Sequence, residues 1–357
     1  MRRVNRWERS EAGPFDEAGA AARLGTEPPV MTTPRFIVRP GSDVLLNSFY
    51  LLGLTRRGRV LFRPDDLPPV APHRLAFVAE NDSHVKVVVC ALDNPGFDEA
   101  ALDWCDVYAK VNVDRELIPD SSAEKVRSLG PHFPVKLWSL TIASLKSAVH
   151  YAKAHGRVGN RKEHFANYVR QWRYRVPEDA FTPAKSDADY VFFSSRLWKK
   201  EKIANDLRAR FVEVCRQMRG LEFDGGFIPR TKGDVPGYEH LLQSRQKPVP
   251  LAEYLAKTRR SAVVFNTPAV LDCHSWKFGE YLALGKAIVS TRLVRDLPTP
   301  LVHGENIHFV EGSFDSIKEA VGLICRDDDY RRRLEIGARN YYDEFLKPER
   351  VINRILS

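Results

Sequence analysis

Apolar positions along this chain fall into two rhythms. Short runs rich in Val, Ile, Phe and Tyr at 36–39, 60–62, 73–80, 85–92 and 106–111 have the length and β-branched content of buried strands. Between them, 43–54 and 97–105 carry apolar residues at helical spacing. The alternation restarts after a charged, proline-containing segment at 177–186. It then gives strands at 189–194, 221–223, 263–265, 287–290 and 308–310, with helices at 202–218, 251–262, 276–284, 328–345 and 348–356. Strand, helix, strand in succession predicts α/β architecture with ligands at the C-terminal ends of parallel strands. The restart predicts two such domains, 34–186 and 187–327, followed by C-terminal helices over 328–357 that pack back on the first domain.

One stretch, 263–291, joins this pattern to chemistry. A strand leads through a turn and the polar residues Asp272, Cys273, His274 and Ser275 into a helix that Ser275 caps, and Gly285 ends the helix before the next strand. Free N–H groups at the helix start favour an anion, and Lys277 adds full charge there. Asp272 and Glu280, eight positions apart, can approach one ligand from two sides, and Gly279 lets something come close to the backbone. In the first half, polar residues follow the strands in the same way: Arg39, Ser42 and Asn47, then Asp93, then Asn112. Caps and turns account for Ser42, Asp43 and Asp93 equally well.

Composition narrows the class. The 357 residues are 43% hydrophobic and 28% charged, an ordinary globular balance. No apolar run is long enough for a membrane span. The five cysteines show no metal-binding spacing and suit reduced thiols in a reducing, cytoplasmic setting. Residues 1–33 are charged and lack an apolar signal core, so we expect a disordered extension, with a native start at Met31. A net charge of +9 points to an anionic partner. None of His73, His84, His132, His150 and His164 stands in a pattern that identifies a catalytic base, so the catalytic residue stays unassigned.

Asp272, Glu280 and the run Ala283-Leu284-Gly285-Lys286-Ala287-Ile288-Val289-Ser290 resemble the donor-binding signature of nucleotide-sugar glycosyltransferases of the GT-B fold. The phrases Asn47-Ser48-Phe49-Tyr50 and Tyr108-Ala109-Lys110-Val111-Asn112 resemble those of bacterial cell-surface glycan glycosyltransferases. The resemblance implies two Rossmann-like doubly wound domains facing across a cleft, the first taking the acceptor and the second the donor. It implies that Glu280 takes the ribose hydroxyls and Asp272 the sugar, with His274, Ser275 and Lys277 beside them. It further implies that Arg196 with Lys200 or Lys202 grips the diphosphate, and that Gly226 and Phe227, in a turn after the second strand, meet the base. Arg39, Ser42, Asn47, Asp93 and Asn112 become acceptor-side candidates. The implied activity is transfer of a sugar from a nucleoside diphosphate sugar to a glycan or glycolipid, with retention and without a cofactor. An epimerase or hydrolase on the same fold is the alternative.

Two further patterns bear on partners. Residues 137–175 interleave Lys and Arg with Trp138, Tyr151, Phe165, Tyr168, Trp172 and Tyr174. Such a stretch suits nucleic acid, an anionic membrane face or an anionic glycan, and equally a solvated basic face whose aromatics belong to the core. The solvated basic face is the leading reading, with peripheral contact with an anionic inner membrane face as one alternative and a nucleic-acid partner as the remoter one. Asp187-Ala188-Asp189 has the spacing of a metal-binding D-x-D but precedes its strand, and Asp327-Asp328-Asp329 suits a helix N-terminus, so no metal is expected.

Overall fold

The computed structural model describes residues 33–63, 67, 73–80, 84–228, 236–245 and 247–357; the expected extension and Met31 lie outside them. In the first half, β1 (Arg35–Val38), α1 (Ser48–Arg57) and β2 (Arg59–Phe62) form a parallel βαβ unit. β3 (Arg74–Glu80) and β4 (His84–Cys90) pair antiparallel, and β3 also runs antiparallel to β1. α2 (Glu99–Trp104), β5 (Val107–Lys110) and β6 (Val126–Ser128) extend the sheet in parallel, giving the order β2-β1-β3-β4-β5-β6 among the described residues. β3 therefore runs against both of its neighbours in an otherwise parallel sheet. The reason is the connection: only residues 81–83 separate β3 from β4, enough for a hairpin but not for a crossover.

Two packed helices, α3 (Leu140–Lys153) and α4 (Arg161–Tyr174), complete this half. The segment expected to link the halves is pinned instead of free. Glu178 is buried there, accepts from the Tyr342 hydroxyl at 2.6 Å and pairs with Arg56 at 2.8 Å.

The second half runs β7 (Tyr190–Arg196), α5 (Lys202–Gln217), β8 (Glu222–Ile228), α6 (Leu251–Arg260), β9 (Val264–Asn266), α7 (Trp276–Ala283), β10 (Ile288–Ser290) and β11 (His308–Phe309). Its strand pairings are parallel, and Ala262 N–H donates to Tyr190 O at 2.8 Å beside β7 and β9. Across the half the order is thus β8, β7, β9, β10, β11. The chain leaves β7 toward one edge and returns to the other side at β9, so the topological switch point lies between these two strands.

Side chains alternate as such a sheet requires. Val191, Phe193, Val263, Phe265 and Val289 face α5 and α8 (Phe314–Arg326), while Tyr190, Phe192, Val264 and Ile288 face α6, α7 and α9 (Asp328–Tyr341). The first sheet is also covered on both sides, Val87 and Val89 on one and Val88 and Cys90 on the other. The last helix, α10 (Pro348–Leu356), returns to the first half and lies on α1. Gly53 permits this approach, because a Cβ there would stand 2.7 Å from Ile352 and strike the Pro348 carbonyl. All five cysteines are free thiols, and among the described residues no helix is long and apolar enough to cross a membrane.

Candidate functional site

A cavity of about 580 Å³ lies between the halves, at the C-terminal ends of β7 and β9. Its volume falls within the range of small-molecule sites. Leu46, Ala91, Leu92 and Asp93 line it from the first half. From the second half come the end of β7 with Arg196, the end of β9 with Asn266 and Thr267, and residues Cys273 to Lys277 at the start of α7.

The helix start is organised locally. Ser275 Oγ accepts from Phe278 N–H at 3.2 Å, the cap its position predicts. Ahead of it, Leu271 and Asp272 hold φ of 54° and 59°, left-handed values that cost strain at non-glycine residues. The Leu271 carbonyl is held by Arg295 at 3.0 Å, and Arg295 itself pairs with Asp114 of the first half. His274 extends this seam. Its N–H donates to Asn112 Oδ1 at 2.8 Å, and its Nε2–H donates to the Asp296 carbonyl at 3.2 Å. Because a carbonyl only accepts, the proton of the neutral ring sits on Nε2. Burial pushes the His274 pKa down to about 4, so the ring is neutral near pH 7. Asn112 in turn donates from Nδ2 to Leu92 O at 3.0 Å, which fixes the side chain spanning the two halves.

The electrostatics of the second-half wall are unusual for a resting surface. Arg208, on α5, is buried; its Nε donates to Thr267 Oγ1 at 3.0 Å and its Nη1 has no hydrogen-bond partner. Lys277 donates to the Ser194 carbonyl and lies over the Tyr254 and Phe193 rings, 5.5 and 5.9 Å from their centroids. Burial, then repulsion from Arg208, lowers the Lys277 pKa to about 8, partly offset by Glu280. Among the described residues neither cation forms an ion pair at contact distance. A buried guanidinium with an unpartnered nitrogen and a half-buried ammonium only partly offset by Glu280 thus line one cavity, a charge distribution that favours an anion over a cation there.

The other residues singled out from sequence divide sharply. Arg196, His274, Ser275, Lys277 and Asp93 line the cavity. Lys200 and Lys202 do not: both are exposed, and Lys202 turns along α5 to Asp206 at 2.6 Å. Gly226 and Phe227 lie inside β8 instead of in a turn, with Phe227 in the core. Gly225 and Gly226 have φ of 117° and 136°, and side chains there would strike the Phe193 and Leu241 carbonyls, so packing accounts for them. Asp272 is exposed and outside the cavity lining. Glu280 is buried behind the wall, where burial raises its pKa and Arg175, Lys277 and Tyr254 pull it back. What comes close to Gly279 is the first half: a Cβ there would stand 3.1 Å from Phe133. Arg39, Ser42 and Asn47 lie near the β1–α1 turn and not on the lining, Asn47 Nδ2 donating to Asp43 O at 2.9 Å.

Arg208 is the residue sequence reading missed, since a mid-helix arginine reads as a solvated one. A signal was present: Arg208 falls on the buried stripe that runs from Ala204 through Phe211, Val212 and Cys215. Asp187 pairs with Arg260 at 2.7 Å, ahead of β7 and away from the cavity, and Asp327 caps α9. Among the described residues no cluster of three or more His, Cys, Asp or Glu side chains could hold a metal.

No protein-family model matches the chain, and no curated protein matches it. Solved structures similar to it include the C-terminal domain of a glycosyl transferase group 1 family protein (LpcC) from Francisella tularensis, at 15% identity and TM-score 0.35, covering 48% of this chain and 97% of that one. A glycosyltransferase from Rickettsia africae is similar at 9% identity and TM-score 0.40, over 75% of this chain and 68% of that one. UDP-GlcNAc 2-epimerase from Neisseria meningitidis, bound to UDP-GlcNAc, is similar at 12% identity and TM-score 0.39, over 72% of this chain and 63% of that one. The two α/β halves facing across a cleft are the architecture that the GT-B resemblance implies.

Proposed function

We propose that this protein is a glycosyltransferase that binds a nucleoside diphosphate sugar in the cavity between its halves and passes the sugar to a glycan or glycolipid. The observation that carries this reading is the pair of cations on one wall at the switch point, the buried Arg208 and the half-buried Lys277. Arg208 Nη1 and the Lys277 ammonium meet the diphosphate, the N-terminus of α7 adds its partial charge, and Arg196 stands at the rim. Glu280 behind Lys277 keeps that ammonium charged. In this reading the ribose contact implied for Glu280 requires Lys277 to move aside on binding. Asp93 faces the donor from the acceptor side.

We further propose that transfer needs no metal, the diphosphate charge being met by these side chains, and that the anomeric configuration is retained. Thermal shift against ADP, GDP, UDP and TDP tests the core of the reading. A diphosphate at about a hundred times its dissociation constant stabilises by about 2.7 kcal/mol; no shift with any of them sinks it. With the matching sugar nucleotide, transfer that survives chelator and products that keep the donor's anomeric configuration are expected. Donor converted to an epimer without any acceptor would make the chain an epimerase.

A further inference from the structure

The helix pair α3 and α4 carries a second surface, on the first half and outside the cavity lining. α3 buries Ala143, Ser147 and His150 and turns Ile142, Leu145 and Val149 outward, 47%, 66% and 40% exposed. The outward residues follow at intervals of three and four, so they form one aliphatic stripe along the helix. Lys146 and Lys153 fall one position past Leu145 and four past Val149, along the edge of that stripe. Residues 136–175 hold nine Lys and Arg against one acid, Glu163, which Arg170 engages at 2.6 Å.

Several aromatics at this pair pack inward. Trp138 stacks on the buried Tyr168 at 5.7 Å, and Tyr151 packs on Phe165 at 5.3 Å; of the large side chains exposed on the two helices, Tyr174 alone is aromatic. Single-stranded nucleic acid needs exposed rings on which bases stack, and it has no use for an aliphatic stripe. A bilayer of anionic lipid uses both features at once: the acyl boundary takes the aliphatic groups and the headgroups take the lysines.

We infer that α3 is a membrane-docking helix that binds the surface of anionic phospholipid bilayers. This surface is independent of the nucleotide-sugar reading and stands if that reading fails. The anchor is one short helix, so docking is reversible and salt-sensitive.

Co-sedimentation of the full chain with vesicles tests it. We expect binding to phosphatidylglycerol–phosphatidylcholine vesicles and little to phosphatidylcholine alone, with release at high salt. The triple variant Ile142→Ser, Leu145→Ser, Val149→Ser should lower the partition coefficient at least about tenfold, because interfacial binding scales with the apolar area inserted. Lys146→Glu and Lys153→Glu should each lower it about fivefold or more. All these positions are exposed or half-buried, so the melting temperature should hold and identify a binding loss as such. Equal binding by the triple variant, equal binding to neutral vesicles, or preference for an oligonucleotide over anionic vesicles overturns the inference. So does a dimer in solution that Leu145→Ser dissolves, which would make the stripe a contact between copies.

Discussion

The two walls of the central cavity are built on opposite terms. The second-half wall buries Arg208 with one nitrogen unpartnered and half-buries Lys277, whose pKa is pushed down to about 8. The first-half wall offers Leu46, Ala91 and Leu92 with a single exposed carboxylate, Asp93. A wall that keeps desolvated charge is ready for a ligand of opposite sign, because water has already been removed from its cations. A wall of aliphatic groups excludes water and shapes the space without fixing a charge. On the proposed function, the difference gives affinity for the anion to one half and leaves the other free to choose what meets it.

Arg208→Met breaks that contrast most directly. Methionine preserves much of the volume and removes the charge. Loss of charge-assisted hydrogen bonds worth about 1.5–3 kcal/mol should weaken nucleoside diphosphate binding by roughly 10- to 150-fold in calorimetry. The folded state should not lose stability, since the variant also removes a buried, half-satisfied guanidinium. Unchanged affinity would show that the wall is not the anion receptor.

The contrast also depends on the seam that holds the walls in register. Asn112→Ala leaves the buried His274 N–H without its acceptor and the Leu92 carbonyl without its donor. An unsatisfied buried group costs about 1–3 kcal/mol, and urea unfolding should register a loss of that size. Donor affinity should fall with it, as α7 loses its tie to the first half.

What the sequence made legible, and what it hid, follow the same division. Local features came through: the α7 start with its Ser275 cap, the strand ahead of Arg196, and α5 from Lys202, because caps and apolar periods are written in neighbouring residues. Direction and partnership did not. A run such as 73–80 looks the same whether its strand runs with its neighbours or against them, so the reversal of β3 is legible only in the short link to β4 and not in the run itself. Lys200 and Lys202 drew attention by sitting just after a strand, yet the cation that reaches the cavity, Arg208, lies one to two turns further along α5. Phe227 looked like a loop residue because Gly225 and Gly226 precede it, whereas their positive φ serves strand packing.

Protonation gives a gentler handle on the charged wall. The Lys277 pKa is lowered, to about 8, so the free protein holds the ammonium fully below that pH and loses it above. A bound diphosphate favours the charged form and raises this pKa. Affinity should therefore be flat below about pH 7.5 and fall above pH 8, by at most about tenfold per pH unit. Phosphate ionisation is complete in this range and cannot produce the slope. Lys277→Met should bind more weakly and lose the pH dependence; a slope that survives this substitution would point to another group.

The smallest effect should come from the first wall, and its sign is the informative part. Asp93 faces the cavity with a carboxylate that is exposed and therefore well screened. If the anion sits on the second wall, Asp93 opposes it weakly across the gap, and Asp93→Asn should tighten nucleoside diphosphate binding by about twofold, an effect that added salt erases. Transfer to acceptor should move in the opposite direction, because on the proposed function the carboxylate that repels the diphosphate is also the acid that the first half brings to the lining among the described residues. Weaker diphosphate binding in Asp93→Asn would mean that the carboxylate holds part of the nucleotide, and the division of labour between the walls would have to be redrawn with the nucleoside lying across both.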